Sequence, residues 1–459
     1  MPWVTSNIDV LTRKIEGMRL PTFPTRHLKK LFSQPLEDLP REFQPFEKLV
    51  YLTPHLEIHV CEEYINFKHR GQHCPSMSGE HEPASIGSTD SSKERILVHC
   101  DLDAFFAAVE ILHHDLDPEK PLIIGSDPQG GRGRGIVSTC NYAARAFGIR
   151  SAMPVSEAWR RCPGHPFGPG HYIRGSRGLY SRASRQVMKI LQEPAEHFEK
   201  ASIDEAYLDV TEHVQGDWDA AFALCRTLQD LIEEKVGLTA SFGIAPTRIL
   251  AKMSSEVNKP KGIFRILPDE IADFFEGRSL REVPGIGPKR ATQLAEWGFV
   301  TVDEAYVLGE LALGRMAGER FAAWLMRVVD GNTSSEVSQL RSRNSIGKEQ
   351  TFSTDQTDHE AVLEVLRSLT ERVLKRSKEM GISGRLAEVK IRYTGFETHT
   401  HGRSIPVAMD EPDVFLRLAD YLFATNVQHN RGLRLVGFRL GQLDMPPTRQ
   451  SMLLLSEEE

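Results

Sequence analysis

Apolar and polar positions fall into distinct regimes along the chain. Residues 1 to about 80 mix charge with Pro clusters ("LPTFPTRH", "QPLEDLPREFQPFEKL"), and "MSGEHEPASIGSTDSSKE" (77–94) has the composition of a linker. Order is expected to begin at "RILVHCDLD" (95–103), an apolar run of strand length. It leads into "AFFAAVEILHHDL", where Phe105, Phe106, Val109 and Leu112 recur at helical spacing. "PLIIG", "GIVSTC" and "LTASFGIAP" read as strands, and "EKASIDEAYLDVT" as a strand pair or a bent strand. "NYAARAFGI", "VSEAWRRC", "SRASRQVMKILQE" and "DWDAAFALCRTLQDLIEEKVG" read as helices. Strands alternating with packed helices predict a sheet-plus-helix layer over about 96–267. The strand signal vanishes over about 268–331, where "LREVPGIGPKRATQLAEWGF" gives short helices. After the connector "SSEVSQLRSRN", residues 344–445 return to strands ("SIGKEQTF", "LAEVKIRYTGFE", "GLRLVGFRLGQL") enclosing two helices. No repeat recurs at a fixed period.

Composition narrows the class. A chain of 459 residues, 40% apolar and 26% charged, predicts a soluble multidomain protein with three or four cores. No run approaches the ~18 apolar residues of a membrane span, and the N-terminus lacks the apolar centre of a secretory signal, so the cytoplasm is expected. Six dispersed cysteines without CxxC pairs favour reduced thiols. The formal net charge of −7 gives no hint of a polyanionic partner, so any such role must rest on where Lys and Arg sit.

The candidate chemistry begins with acids. Neighbouring strand residues point to opposite faces, so Asp204 and Glu205 can address one site only where a strand ends or bends. Asp101 ends another apolar strand. Three such acids could form a hard oxygen cage for Mg²⁺, and two ions ~3.5–4 Å apart serve phosphoryl transfer. Equally, Asp204 and Glu205 could be surface acids at a turn. Asp103 reads as a helix cap, since it precedes Ala104. Tyr142 and Arg145 share a helical face suited to a triphosphate, with Arg150 nearby, and Lys259 in "NKPKG" follows a helix as a point charge. Each could also be an ordinary solvated side chain. In "VPGIGPKRA" (283–291), Gly285 and Gly287 permit a tight turn and Lys289 adds charge. That suits the phosphate seat of a helix-hairpin-helix, although an ordinary helix turn has the same composition. Lys390 and Arg392 alternate with Val389, Ile391 and Tyr393, which gives a strand with one cationic face. Arg341, Arg343, Lys348 and Arg403 could extend it.

Taken together, "HCDLDAFFAAVE", "STCNYAARAFGIRSAMP", "ASIDEAYLDVT", "SFGIAPTRILAKMSSEVNKPKG", "EVPGIGPKRA" and "RSRNSIGKEQTF" resemble the Y-family DNA polymerases. The likeness is greatest to the DinB or DNA polymerase IV branch that includes eukaryotic polymerase kappa. It implies an α+β right-hand polymerase with palm at 95–104 and 171–267, fingers at 105–170, thumb with the helix-hairpin-helix at 268–332, linker at 333–342 and little finger at 343–445. An extension (1–94) and a tail (446–459) flank it. The resemblance carries metal binding and catalysis onto Asp101, Asp204 and Glu205, with the Leu102 carbonyl as a further ligand. Triphosphate contacts fall on Tyr142, Arg145 and Lys259, and a steric gate against the ribose 2′-OH on Phe106, which could otherwise be a plain core aromatic. The implied activity is error-prone translesion synthesis without proofreading by a monomer, using two Mg²⁺, dNTPs and primer–template DNA. Small residues (Ala104, Ala107, Ala108, Ser138, Ala144) would leave the pocket roomy. An inactive DNA-binding adaptor would lack one of the acids, and a nucleotide cyclase would not need "VPGIGPK" or the last domain. Two weaker patterns remain. His59, Cys61, His69, His73 and Cys74 invite zinc without a standard spacing, and Gln450 before Met452, Leu453 and Leu454 faintly resembles a sliding-clamp peptide.

Overall fold

The computed structural model describes residues 95–338 and 343–444. Arg341, the His/Cys pattern near the N-terminus and the C-terminal peptide lie outside the described residues. Residues 272–330 form one compact unit, and 95–271 together with 331–444 the other.

The larger unit opens with β1 (Leu97–Leu102), α1 (Phe105–His114), β2 (Leu122–Gly125), β3 (Val137–Cys140), α2 (Tyr142–Arg145), α3 (Val155–Arg161), β4 (His171–Ile173), α4 (Arg177–Gln192), β5 (His197–Lys200), β6 (Glu205–Asp209), α5 (Trp218–Val236), β7 (Ala240–Ala245), α6 (Arg248–Val257) and β8 (Ile263–Arg265). These build a five-stranded sheet ordered β5-β6-β1-β7-β8 and a small sheet ordered β3-β2-β4. All six residues of β1 are buried, because this strand is central and covered on both faces. One face carries Ile96, Val98, Cys100 and Leu102, which pack with Val187 and Leu191 of α4 and Cys225, Leu228 and Ile232 of α5.

The helices show why their sequences stop where they do. In α5 the Asp217 carboxylate accepts from the N–H groups of Asp219 (2.8 Å) and Ala220 (3.2 Å), and Gly237 closes the helix at φ 72°. Its buried stripe of Ala221, Cys225, Leu228 and Ile232 follows the helical period, each large aliphatic contributing about 2 kcal/mol. On the opposite sheet face α6 lies very close to β7: a Cβ on Gly243 would stand 2.0 Å from the Ala251 carbonyl oxygen.

The smaller unit follows from α7 (Ile271–Phe275) into α8 (Pro288–Glu296), α9 (Val302–Val307), α10 (Glu310–Ala317) and α11 (Glu319–Val329). Leu294, Val302, Leu313, Leu325 and Val328 are buried there. Gly285 has φ 107°, a conformation that requires glycine, and its Cα faces the Trp324 ring. Gly287, by contrast, is extended at φ −76° as the N-cap of α8, so the turn does not need a glycine there.

The chain returns to the larger unit as β9 (Ser345–Gln356), α12 (His359–Glu379), β10 (Ser383–Tyr393), β11 (Thr398–Met409), α13 (Pro412–Asn426) and β12 (Leu433–Asp444). An antiparallel sheet ordered β11-β10-β12-β9 carries both helices on one face, around Val389, Ile391, Tyr393, Phe415 and Phe438. Lys390 and Arg392 occupy the other face, as the alternation predicts. Lys348 and Arg403 do not extend that face. Lys348 is paired with buried Phe438 and Arg403 with buried Ala387, so both belong to the helix-covered side. Arg403 there stands 5.2 Å over the Tyr421 ring of α13, and Arg343 contacts Met380 Sδ at 3.4 Å. No helix among the described residues is long and apolar enough to cross a membrane.

Candidate active site

The acids meet at one end of the five-stranded sheet. Asp101 on β1 is paired across the antiparallel ladder with Glu205, the first residue of β6, so their side chains leave the same face. Asp204 lies in the bend before β6, where the Leu102 N–H donates to its carbonyl at 3.1 Å. The Ser202 hydroxyl fixes that bend by accepting from the N–H groups of Asp204 (3.1 Å) and Glu205 (3.0 Å), and it also donates to the Asp204 carboxylate. The strand therefore ends where the two adjacent acids must diverge from regular alternation.

A cavity of about 260 Å³ opens beside them. Asp101, Leu102, Asp204, Tyr142, Arg145 and Lys259 line it, together with Ala104, Phe105, Thr139, Ser151 and Glu256. Arg145 stands over the Tyr142 ring at 4.6 Å. Buried Asn141 holds α2 in place: its Oδ1 caps the Ala144 N–H (3.0 Å) and accepts from Leu122 N (2.9 Å), while its Nδ2 donates to the Pro118 and Lys120 carbonyls.

Among the described residues no three His, Cys, Asp or Glu side chains are grouped as a metal centre. Asp101 and Glu205 are nevertheless cross-strand partners, and Asp204 lines one cavity with Asp101. Two of the three acids hold lysines. Lys259 Nζ lies 2.9 Å from Asp101 Oδ2 and 2.6 Å from Glu256 Oε1, and Lys252 Nζ lies 2.7 Å from Glu205 Oε1. Burial drives the Asp101 carboxyl up to about 7, with Lys259 opposing. Burial also works against the Lys259 charge, but the Asp101 and Glu256 carboxylates outweigh it and hold its pKa above the usual value. Glu205 is held down at about 2, first by His99 and then, against its own burial, by Lys252. His99 is fully buried, with Nδ1 2.8 Å from Ser255 Oγ and Nε2 3.8 Å from Glu205 Oε2.

Several sequence expectations change here. Asp103 is not a helix cap: α1 starts one residue later, behind Ala104 in the left-handed region at φ 43°, and the buried Asp103 carboxylate accepts from Ser241 Oγ (2.8 Å) and Lys261 N (2.9 Å). Of the small residues expected to make the pocket roomy, only Ala104 lines it; Ala107 and Ala144 are fully buried in packed cores. Phe105, rather than Phe106, lines the cavity, and Arg150 does not. The Phe106 ring is stacked on Tyr180 at 4.2 Å and 10°. Sequence reasoning missed Lys252, Glu256 and His99. Lys252, Glu256 and Lys259, spaced by four and three, carried the signal of one helix face.

A five-stranded sheet with acids at one end, a helical unit and a second antiparallel sheet under two helices are the parts of a multidomain polymerase. The impB/mucB/samB family matches residues 100–256, and its C-terminal domain matches 343–453. DNA polymerase IV of Methanoculleus marisnigri is 35% identical over 360 residues, covering 78% of this chain and 97% of that protein. DNA polymerase IV of Streptococcus pneumoniae is 37% identical over 346 residues, 75% and 96% of the two chains. Among solved structures, a Y-family DNA polymerase chimera superposes with a TM-score of 0.68 at 28% identity, covering 76% of this chain and all (100%) of that one. DinB from Sulfolobus solfataricus does so with a TM-score of 0.54 at 27% identity and the same coverage, 76% and 100%. The chain belongs to the Y family of DNA polymerases, in its DinB or DNA polymerase IV branch, and is a DNA-directed DNA polymerase.

Proposed function

We propose that the enzyme copies damaged DNA by error-prone nucleotidyl transfer, with primer–template DNA and dNTPs as substrates and two Mg²⁺ as cofactors. The single observation that carries this reading is the Asp101–Glu205 pair at the sheet end, with Asp204 lining the same cavity as Tyr142, Arg145 and Lys259. The donors fit Mg²⁺. Asp101, Asp204, Glu205 and the Leu102 carbonyl offer only hard oxygens, and Asp101 and Asp204 line the cavity together with Leu102. When bound, the metal pair would activate the primer 3′-OH and neutralise the departing pyrophosphate.

The chain's own residues do the rest. Lys259, now paired with Asp101, is placed to turn to the triphosphate, and Lys252 holds Glu205, which with Asp101 and Asp204 would hold the metal. Tyr142 and Arg145, stacked together on α2, grip the triphosphate. Phe106 excludes the ribose 2′-OH as the steric gate. In domain terms, 95–104 with 171–267 is the palm, 105–170 the fingers, 268–332 the thumb, 333–342 a linker and 343–445 the little finger. Gly285, Gly287 and Lys289 in the thumb, and Arg341, Arg343, Lys390 and Arg392 around the little finger, contact DNA backbone, whereas Lys348 and Arg403, on the helix-covered side of the last sheet, do not share that face. The enzyme acts as a cytoplasmic monomer, and its C-terminal peptide docks on a sliding clamp.

Asp204→Ala or Glu205→Ala should reduce primer extension by at least about 10³-fold while DNA binding stays within a few-fold. Gel-resolved extension assays with filter binding check this, and wild-type extension by both variants overturns the assignment.

A further inference from the structure

Among the described residues, the most deeply buried carboxylate that this mechanism leaves unused is Glu110. It is 0% exposed on α1, one turn beyond Phe106 on the same helical face. Four groups surround its carboxylate. Ser176 N–H donates to Oε1 at 2.7 Å, and the Tyr180 hydroxyl donates to the same oxygen. Ser176 Oγ lies 3.3 Å and His114 Nε2 3.1 Å from Oε2. A buried carboxylate so heavily bonded is poor value as a stabiliser, since an apolar residue of similar volume commonly serves as well. It does fix geometry, because charge-assisted hydrogen bonds define both where the acceptor sits and where its donors point.

What it fixes is Tyr180. That ring, 3% exposed near the start of α4, has its hydroxyl tethered to Glu110 and its face stacked on Phe106, with centroids 4.2 Å apart and planes within 10°. Phe105 closes the group at 6.2 Å from Tyr180 and 5.5 Å from Phe106. The approach to the tether is tight: a Cβ on Gly175 would stand 2.8 Å from the Tyr180 hydroxyl oxygen. Burial first, then the Glu110 carboxylate, raises the Tyr180 pKa, so the phenol stays a donor. Phe106 is only partly buried, which leaves its ring a route to tilt if the Tyr180 plate shifts.

We propose that Glu110 and Tyr180 act as positioning residues for Phe106, a brace that sets how strictly the polymerase rejects a ribonucleotide. The brace rests on the reading of Phe106 as the steric gate. Its substrate consequence is specific: with the brace loosened, a nucleoside triphosphate bearing a 2′-OH gains access while the deoxy substrate loses little.

The test is the ratio of kcat/KM for matched dNTP and rNTP insertion by the full chain carrying Tyr180→Phe, Glu110→Gln, Gly175→Ala or Phe106→Val. Tyr180→Phe keeps the ring and removes only the tether. Relative to wild type, discrimination should fall about ten-fold in Tyr180→Phe and Glu110→Gln, with dNTP insertion within about three-fold, and more steeply in Phe106→Val. The double variant Tyr180→Phe/Glu110→Gln should lose no more than Tyr180→Phe alone, because the amide weakens the same link that the phenylalanine removes. A purely structural role would lower dNTP and rNTP insertion together and leave the ratio unchanged, which overturns the brace. If Phe106→Val alone relaxes sugar selection, the brace falls and the gate stands; if Phe106→Val leaves the ratio intact, both fall. Should Glu110→Gln fail to fold by circular dichroism, Tyr180→Phe and Gly175→Ala decide the same question.

Discussion

Lys259 shows how one residue can serve two partners at the proposed site. Its ammonium bridges Asp101 and Glu256 while lining the cavity, and both carboxylates hold it charged. Lys259→Ala should therefore raise KM for dNTP by about ten- to a hundred-fold with a smaller loss in kcat, and Lys259→Arg should recover part of it. Steady-state single-nucleotide insertion measures this split; an unchanged KM would remove Lys259 from the triphosphate. The same residue marks the boundary of what a sequence can say. Asp101, Asp204, Glu205, Tyr142, Arg145 and Lys259 could all be singled out, because strand ends, helix faces and resemblance each leave a local mark. Their mutual pairing could not. Lys252 reaches Glu205 because α6 packs on β1 and β7, and His99 because β1 pairs with β6, long-range facts with no local signature. Asp103 misled for the same reason. Its neighbour Ala104 takes a left-handed backbone that breaks the helix start, and the carboxylate turns to Ser241 and Lys261, 138 and 158 positions away.

Among elements, α6 does the most for the site, since Lys252 and Glu256 lie on it and Lys259 just after it. Its closeness to the sheet depends on Gly243, where an added methyl would stand 2.0 Å from the Ala251 carbonyl oxygen and 2.3 Å from Ser255 N. These are backbone atoms and cannot swing aside. Gly243→Ala should destabilise the protein by about 2–3 kcal/mol and lower primer extension even under conditions where the variant remains folded. Urea denaturation paired with extension assays tests both parts, and wild-type values in each would show that α6 can move without consequence. Element prediction succeeded where periodicity was strong, as in β1, α5 and β10, and failed at β11. "THTHGRSIPVAM" carries Gly402 and Pro406 and alternates polar side chains. An edge strand has one unpaired side, so it tolerates proline and needs no apolar run, and it therefore lacks the pattern by which strands are recognised. Lys348 and Arg403 could not be assigned a face for a related reason: the face of a strand residue follows from its pairing register, and pairing was not available from composition.

For the whole molecule, the question is how a chain of net charge −7 holds a polyanion. The open face of the last sheet does not present bare cations. Lys390 is paired with Glu349, Arg439 with Glu388, and Arg385 with Asp444, so acids stand beside most of the bases, whereas Arg392 hydrogen-bonds the neutral Thr398 hydroxyl at 2.8 Å. Such pairs let the sheet fold without strong like-charge repulsion, and they cap the number of phosphates that the face can neutralise. If this face lies along DNA, its charge balance should be adjustable in both directions. Arg392→Ala should make the slope of log K against log salt shallower by about one, the loss of one phosphate contact. Glu349→Gln should act the other way: it releases Lys390 from its partner, tightens binding several-fold at moderate salt and steepens the slope by up to about one. Opposite shifts from two neutral-for-charge substitutions on one sheet face are hard to obtain by general destabilisation, which would weaken binding in both. Fluorescence anisotropy titrations across salt concentrations give the slopes directly, and identical slopes for both variants and wild type would place the DNA elsewhere.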